Sequence, residues 1–94
     1  MIKSFASDDA ALIWQSRRAR RLPADIQDRA LRKLRLLHAA RTLNDLRNPP
    51  GNNLEALVRD RAGQHSLRIN QRWRLCFVWR DGDAYDVEIV DYHR

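Results

Sequence analysis

The sequence predicts an α+β fold in which a small antiparallel sheet is covered on one face by two N-terminal helices. Apolar residues recur at helical spacing in the first half of the chain, and from His65 onward they alternate with polar or small residues, as in half-buried strands. The 94 residues leave room for one hydrophobic core, so we predict a single domain over residues 1–94. A chain this short favours an active site in a shallow groove or on a sheet face.

Two helices are predicted after a short N-terminal strand at residues 2–5. Ser7 is a suitable N-cap for the first helix, residues 8–17, because Asp8 and Asp9 complement the helix dipole. Pro23 at a first helical position opens the second helix, which continues to about residue 40. Thr42 caps a further short turn, and residues 48–53 form the most loop-like stretch of the chain.

The strand registers follow from keeping one sheet face apolar, because a shift of one residue would send a whole row of side chains to the other face. A three-residue loop at residues 81–83 satisfies this condition, and its pairs are Trp79 with Tyr85, Phe77 with Val87 and Leu75 with Ile89. The same rule at the turn of residues 70–72 predicts Leu67 opposite Leu75.

The other sheet face is predicted to place Arg68 directly opposite Arg74. Like charges opposed on a sheet are destabilising, so the fold needs compensation. One interpretation is that Glu88 and Asp86 neutralise the arginines through surface ion pairs. The other is that the two guanidinium groups await a phosphate, which would make this face a binding site for RNA.

Charge composition points towards nucleic acid. The chain has 18 Lys and Arg residues against 12 Asp and Glu, a formal charge of +6, and 16 of its cations are arginines. The planar guanidinium matches phosphate oxygens and stacks on bases. The alternative is that arginine reflects genomic base composition and that the charge only favours solubility. The basic residues of the second helix, Arg29, Arg32, Lys33 and Arg35, are interpreted as a solvated face that could also meet an acidic partner.

Metal, cofactor and membrane functions find no support in the sequence. Cys76 is the only cysteine, and with three scattered histidines it gives no metal-binding spacing, so we expect neither a metal nor a cofactor. The N-terminus lacks an apolar signal core, and no apolar run approaches the roughly 20 residues that cross a bilayer. We therefore expect a cytoplasmic protein without membrane contact.

The chain ends in Asp91, Tyr92, His93 and Arg94, at the end of the last predicted strand. Cleavage of RNA without a metal needs a base for the 2′-hydroxyl proton, an acid for the leaving oxygen and cations for the phosphorane. His93 titrates in the range that either proton role requires, and Tyr92 could stack on a base. A solvated terminal histidine without a role is the alternative interpretation.

Four segments carry a resemblance to a known family: MIKSF, NNLEAL, HSLRINQRWRLCF and GDAYDVEIVDYH. In this order they resemble the HigB-type toxins of the RelE/ParE superfamily. The resemblance implies a RelE-like fold and a bacterial type II toxin, an mRNA interferase that cuts the message in the ribosomal A site. It also implies neutralisation by a HigA-like helix-turn-helix antitoxin, with operator DNA bound chiefly through that antitoxin.

The resemblance also implies which residues act. The family's Asp-Tyr-His motif falls on Asp91, Tyr92 and His93, and its strand arginines fall on Arg68 and Arg74. These five residues are the expected catalytic and phosphate-binding groups.

Two departures from the family pattern bear on the activity. Some relatives have His-Pro-Leu where this chain has Glu55, Ala56 and Leu57, so either Glu55 acts as a base or the activity is weakened. Relatives also carry Lys-Gly-Asp where this chain has residues 58–60, and Arg59 could supply that cation. The expected RNA-binding residues are Arg59, Arg61, His65 and Arg72, although a structural hydrogen bond is an equally good interpretation of His65.

Two other function classes stay open at this point. A ParE-like toxin that inhibits DNA gyrase through protein contact would share the fold and need no catalytic histidine, and the Asp-Tyr-His ending argues against it. An RNA-binding module without catalysis would fit the missing histidine near Glu55. Ribosome-dependent cleavage would exclude both.

Overall fold

The computed structural model describes residues 1–91, so Tyr92, His93 and Arg94 lie outside the described residues. The predicted α+β fold is confirmed. Helices α1 (Asp8–Trp14) and α2 (Gln27–Ala39) precede a four-stranded antiparallel sheet in which spatial order follows chain order. The strands are β1 (Glu55–Ala56), β2 (Gln64–Arg68), β3 (Trp73–Arg80) and β4 (Asp83–Asp91). The short β1 was not predicted.

Residues 2–5 run beside β4 but form two isolated parallel bridges, from Ile2 to Ala84 and from Phe5 to Val87, instead of the predicted strand. The backbone ladder is interrupted because Asp86 has a left-handed conformation, with φ of 52°. The Ser4 hydroxyl accepts a hydrogen bond from the Asp86 N–H at 2.9 Å and so replaces a backbone partner.

Both helices are shorter than predicted. The Ser7 hydroxyl caps α1 by accepting from the Ala10 N–H at 3.3 Å, as expected, but the helix ends at Trp14 and Ser16 is left-handed, with φ of 60°. After Pro23, residues 24–26 form a 3₁₀ turn, and the α-helix proper begins at Gln27. The apolar residues at helical spacing in and just before α2, namely Ile26, Ala30, Leu34 and Leu37, are buried.

The segment after α2 is a series of 3₁₀ turns anchored by a buried asparagine. Thr42 caps the first turn, Leu43–Arg47, as predicted. The side-chain amide of Asn52 is fully buried, and its Nδ2 donates to the carbonyls of Leu46 and Asn48 at 3.1 Å. Its Oδ1 accepts from Lys33 Nζ on α2 at 2.5 Å. This network holds the loop of residues 48–53 against α2.

The β2–β3 register is confirmed, with Leu67 opposite Leu75 and Arg68 opposite Arg74. The predicted three-residue loop between β3 and β4 is wrong. Its length is two residues, Asp81 and Gly82, because Arg80 pairs with Asp83. The φ values of 52° and 81° at these two positions are those of a type I′ turn, whose twist matches the flanking strands.

The two-residue turn places Trp79 opposite Ala84 and Val78 opposite Tyr85, so the predicted Trp79–Tyr85 pair is wrong. A β-bulge then inserts one residue into β4, and the register shifts between Cys76 and Val78. Beyond the bulge Leu75 lies opposite Ile89, as predicted. A longer loop and a short loop with a bulge both keep one face apolar, and the protein uses the second solution.

The hydrophobic core lies between the helices and one sheet face. Phe77, Leu75, Val87 and Leu34 are each fully buried there. The opposite face of the sheet carries the polar side chains described below.

Replacing Phe77 with alanine should lower the free energy of unfolding by about 3–5 kcal/mol, because a fully buried ring leaves a cavity that the core fills only in part. Urea unfolding followed by tryptophan fluorescence measures this loss. Val58→Ala is the control, since Val58 is 71% exposed and should change the free energy of unfolding by less than about 0.5 kcal/mol. Similar losses in both variants would contradict the described core.

Candidate active site

Side chains of residues two apart in a strand share a sheet face, so Ser66 and Arg68 of β2 lie on the face away from the core. Arg74 of β3 and Glu88 of β4 share that face through their pairing with these strands. Glu55 of β1 pairs with Ser66 and belongs to the same face. We call these five residues the polar sheet face.

Arg74 lies at the centre of the polar sheet face and is only 8% exposed. Its Nε donates to the Ser66 hydroxyl at 2.7 Å, and its Nη2 donates to the main-chain carbonyl of Asn53 at 2.6 Å. The same Nη2 lies 4.0 Å from Glu55 Oε2. These contacts fix the guanidinium plane, as burial of a charged group requires.

Arg68 lies beside Arg74 and is held by the same loop. Its Nε donates to the carbonyl of Asn70 at 3.2 Å. In the amide orientation that satisfies both of its partners, Asn53 accepts from Arg68 Nη1 at 3.2 Å and donates to the Pro50 carbonyl at 3.3 Å. Asn53 therefore bonds one arginine through its main chain and the other through its side chain, and it holds the opposed guanidinium groups in place.

The acids near the arginines have partners of their own. Glu88 accepts from Arg61 Nη2 at 2.9 Å, and Arg61 Nη1 donates to Gln64 at 3.0 Å. Asp86 faces Ser4, with 3.5 Å between the hydroxyl and the carboxylate. Glu88 thus contacts Arg61, and Asp86 contacts Ser4. The acid that forms an ion-pair contact with Arg74 is Glu55.

The expected RNA-binding cations differ in their surroundings. Arg61 joins the polar sheet face through Glu88, whereas Arg59 is exposed and left-handed, with φ of 59°. Arg72 donates from Nε and Nη2 to one oxygen of Asp91, at 2.9 and 2.7 Å, and this carboxylate raises the pKa of Arg72. Asp91 is the last described residue. It lies opposite Trp73, the residue that precedes Arg74 in β3.

His65 is on the other side of β2 from Ser66. Its ring stacks on Phe77 with 6.2 Å between centroids, and burial lowers the pKa of His65. Its Nδ1 is buried with no hydrogen-bond partner among residues 1–91. The structure therefore does not bring His65 together with the polar sheet face.

The expected catalytic residues Tyr92 and His93 lie outside the described residues. Of the others, the structure brings Glu55, Arg68 and Arg74 together and places Asp91 with Arg72. The sequence reasoning missed Ser66 and Asn53. Strand alternation could have assigned Ser66 to this face, but no sequence signal indicates that the Asn53 carbonyl accepts from an arginine.

The described part of the chain gives no other centre of chemistry. Within residues 1–91 no group of three His, Cys, Asp or Glu side chains could hold a metal ion. Cys76 is fully buried, and burial raises the pKa of its thiol. No helix in residues 1–91 is both long and apolar enough to cross a membrane.

Comparison with known proteins identifies the family. The model of the RelE-like toxin of type II toxin-antitoxin system HigB matches residues 3–93. The chain belongs to this family. It is 38% identical over 93 residues to Toxin HigB-1 of Vibrio cholerae, covering 99% of this chain and 90% of the relative. It is 32% identical over 93 residues to Endoribonuclease HigB of Proteus vulgaris, covering 99% and 100%. Membership in the HigB family implies an antitoxin as partner.

Replacing Ser66 with alanine should lower the free energy of unfolding by about 1–3 kcal/mol, because a buried guanidinium loses an acceptor. In an Arg74→Met background the same change should cost much less, because no charged donor is left without a partner. Urea unfolding of the four proteins of this double-mutant cycle measures the coupling. Additive losses would contradict the bond between Ser66 and Arg74.

The lowered pKa of His65 makes stability pH-dependent. Below the ordinary histidine pKa of about 6.5, the unfolded chain binds a proton that the folded protein resists, so the free energy of unfolding should fall as the pH drops from 7.5 towards 5. His65→Gln should reduce this decline. Urea unfolding at several pH values measures it, and parallel profiles for the two proteins would contradict the burial of a neutral ring.

Proposed function

We propose that this HigB-family toxin is a ribosome-dependent endoribonuclease that cleaves mRNA in the ribosomal A site and thereby inhibits translation. The observation that carries the proposal is the fixed guanidinium of Arg74, held by Ser66 and Asn53 beside Arg68 and Glu55. The name of the Proteus vulgaris relative, Endoribonuclease HigB, supports the reaction class.

The two arginines suit the phosphate of the cleaved bond. Attack of the 2′-hydroxyl oxygen on phosphorus gives a phosphorane that carries more negative charge than the substrate, and positioned donors stabilise it. Arg74 is already desolvated and held in one orientation by 2.6 and 2.7 Å bonds, so its reorganisation during the reaction is small. Arg68, directly across the strand pair, supplies a second cation.

Glu55 and His93 are the proposed proton carriers. The side chain of Glu55 is 44% exposed and lies 4.0 Å from Arg74, so it can contact a substrate bound at that guanidinium. His93 follows Asp91 by two residues, and an imidazole is the side chain that ordinarily exchanges a proton near neutral pH. Tyr92 is proposed to stack on a base, and Asp91, paired with Arg72, to position the end of β4. Arg59, Arg61 and Arg72 remain proposed RNA contacts, whereas His65, on the other side of β2 from Ser66, is assigned no RNA contact.

The proposed reaction uses no metal because RNA carries its own nucleophile. The 2′-hydroxyl loses its proton to a base and bonds to phosphorus, the bond from phosphorus to the 5′-oxygen breaks, and that oxygen takes a proton from an acid. The products are a 2′,3′-cyclic phosphate and a 5′-hydroxyl end.

The proposed inhibitor is a HigA-like helix-turn-helix antitoxin, which brings acidic groups to the basic surface or a helix to exposed apolar surface. It either covers the site or makes the toxin too bulky for the ribosome. The complex is proposed to bind operator DNA through the antitoxin. The toxin itself acts in the cytoplasm, where it reaches ribosomes and mRNA.

Inducing the wild-type chain in growing bacteria should create new in-frame 5′ ends on an abundant translated message, and these ends should carry a 5′-hydroxyl. His93→Ala should abolish them, because one proton carrier is lost. Arg35→Gln, an exposed change on α2, should leave them intact. Sequencing of 5′ ends with and without prior phosphorylation measures both the positions and the chemistry.

Growth arrest without new 5′ ends would overturn the nuclease proposal and favour a gyrase-inhibiting toxin, which a supercoiling assay would detect. Ends that carry a 5′-phosphate would overturn the metal-independent scheme, because they require an external water or hydroxide as nucleophile. Cuts out of frame with translation would overturn ribosome dependence.

A further inference from the structure

A second basic feature lies between helix α2 and the β2–β3 turn. An open cleft of about 750 Å³ is lined there by four cationic side chains and by the polar turn residues, namely Arg29, Lys33, Arg68, Arg72, Asn70 and Gln71. No aspartate or glutamate is among the described residues that line it. We call it the α2 cleft.

The cations of the α2 cleft act on one another. The pKa of Lys33 is lowered, first by burial and second by the charge of Arg29 one helical turn away. The 2.5 Å bond to Asn52 fixes the position of the Lys33 ammonium group, and the bond to the Asn70 carbonyl fixes the guanidinium group of Arg68. Arg72 is paired with Asp91, which lies outside the lining, so the positive charge of the cleft comes mainly from Arg29, Lys33 and Arg68. A bound anion would relieve the repulsion among these cations.

We propose that the α2 cleft binds the phosphodiester backbone of the RNA strand next to the cleaved nucleotide. The inference rests on the proposed function, because it extends the path of the same substrate. Arg68 carries the argument, since it lines the cleft and is also the cross-strand partner of Arg74 on the polar sheet face. An RNA strand whose cleaved phosphate lies at Arg74 passes Arg68 and enters the cleft, where Arg29 and Lys33 meet the next phosphates.

The chemistry of the cleft favours RNA over an acidic protein segment. Three of its four cations are guanidinium groups, which match phosphate oxygens in pairs. Ile69 is the only large apolar residue among its described lining residues, so an amphipathic helix would find little to bury. An adjoining groove of about 400 Å³ shares Arg29, Lys33 and Ile69 with the cleft and adds Leu36 and Pro49. An amphipathic helix would find more apolar surface there.

Affinity for uncleavable 2′-O-methyl RNA tests the proposal, with oligonucleotides of three and eight nucleotides measured over a range of salt concentrations. Arg29→Gln should weaken binding of the octamer about fivefold at 0.1 M salt and reduce the slope of log affinity against log salt by about 0.7, as expected for one lost phosphate contact. Binding of the trinucleotide, which reaches only the polar sheet face, should not change.

Arg35→Gln is the matched control. Arg35 is also exposed, and it does not line the cleft. Its substitution removes the same charge from the same helix and should leave both affinities as in the wild type. Equal effects of the two substitutions, or no effect of Arg29→Gln on the octamer, would overturn the cleft proposal. If Arg29→Gln weakened antitoxin binding but left the octamer affinity unchanged, the cleft would bind a protein, and the RNA proposal would be overturned.

The two proposals fail separately. In-frame cleavage in bacteria together with an unchanged octamer affinity for Arg29→Gln would refute only the cleft. A length-dependent effect of Arg29→Gln without cleavage in bacteria would support the cleft and refute the nuclease.

Discussion

Burial of the Arg74 guanidinium constrains every segment around the polar sheet face. A charge that is almost fully removed from water must be matched by acceptors, and most of a side chain's solvation has to be replaced by the protein. Here the acceptors come from three different parts of the chain: the Ser66 hydroxyl on the neighbouring strand, the Asn53 carbonyl in the preceding loop and the Glu55 carboxylate on the edge strand. The two-residue strand β1 and the turn before it are therefore part of the site's construction.

The loop that supplies Asn53 is in turn held by the helical layer. Asn52 is fully buried and takes a hydrogen bond from Lys33 on α2, while its own amide binds two carbonyls of the segment before it. Asn53 then adopts the left-handed conformation, with φ of 43°, which asparagine tolerates better than most residues. Two adjacent asparagines thus connect the helix on one side of the sheet to the arginines on the other.

Local sequence patterns were sufficient for much of this architecture. The alternation of Leu67 and Ile69 with polar residues, and of Leu75 and Phe77 in the next strand, determined the β2–β3 register and hence the opposition of Arg68 and Arg74. The turn after β3 could not be derived in the same way, because a bulge at Asp86 and a longer loop preserve the same apolar face. The role of Asn53 could not be predicted from the sequence either, since a main-chain carbonyl has no residue-specific signature.

The opposed arginines also tie the stability of the fold to what is bound there. Arg68 and Arg74 repel each other across the strand pair, and an anion bound between them would remove that cost only in the folded state. By linkage, any such anion shifts the folding equilibrium as well as occupying a site, whether it is a phosphate of RNA or a carboxylate of a protein partner. The charges that would bind substrate therefore lower the stability of the protein in its unliganded state, and a bound inhibitor that supplied acids could protect the toxin from unfolding at the same time as it blocked access.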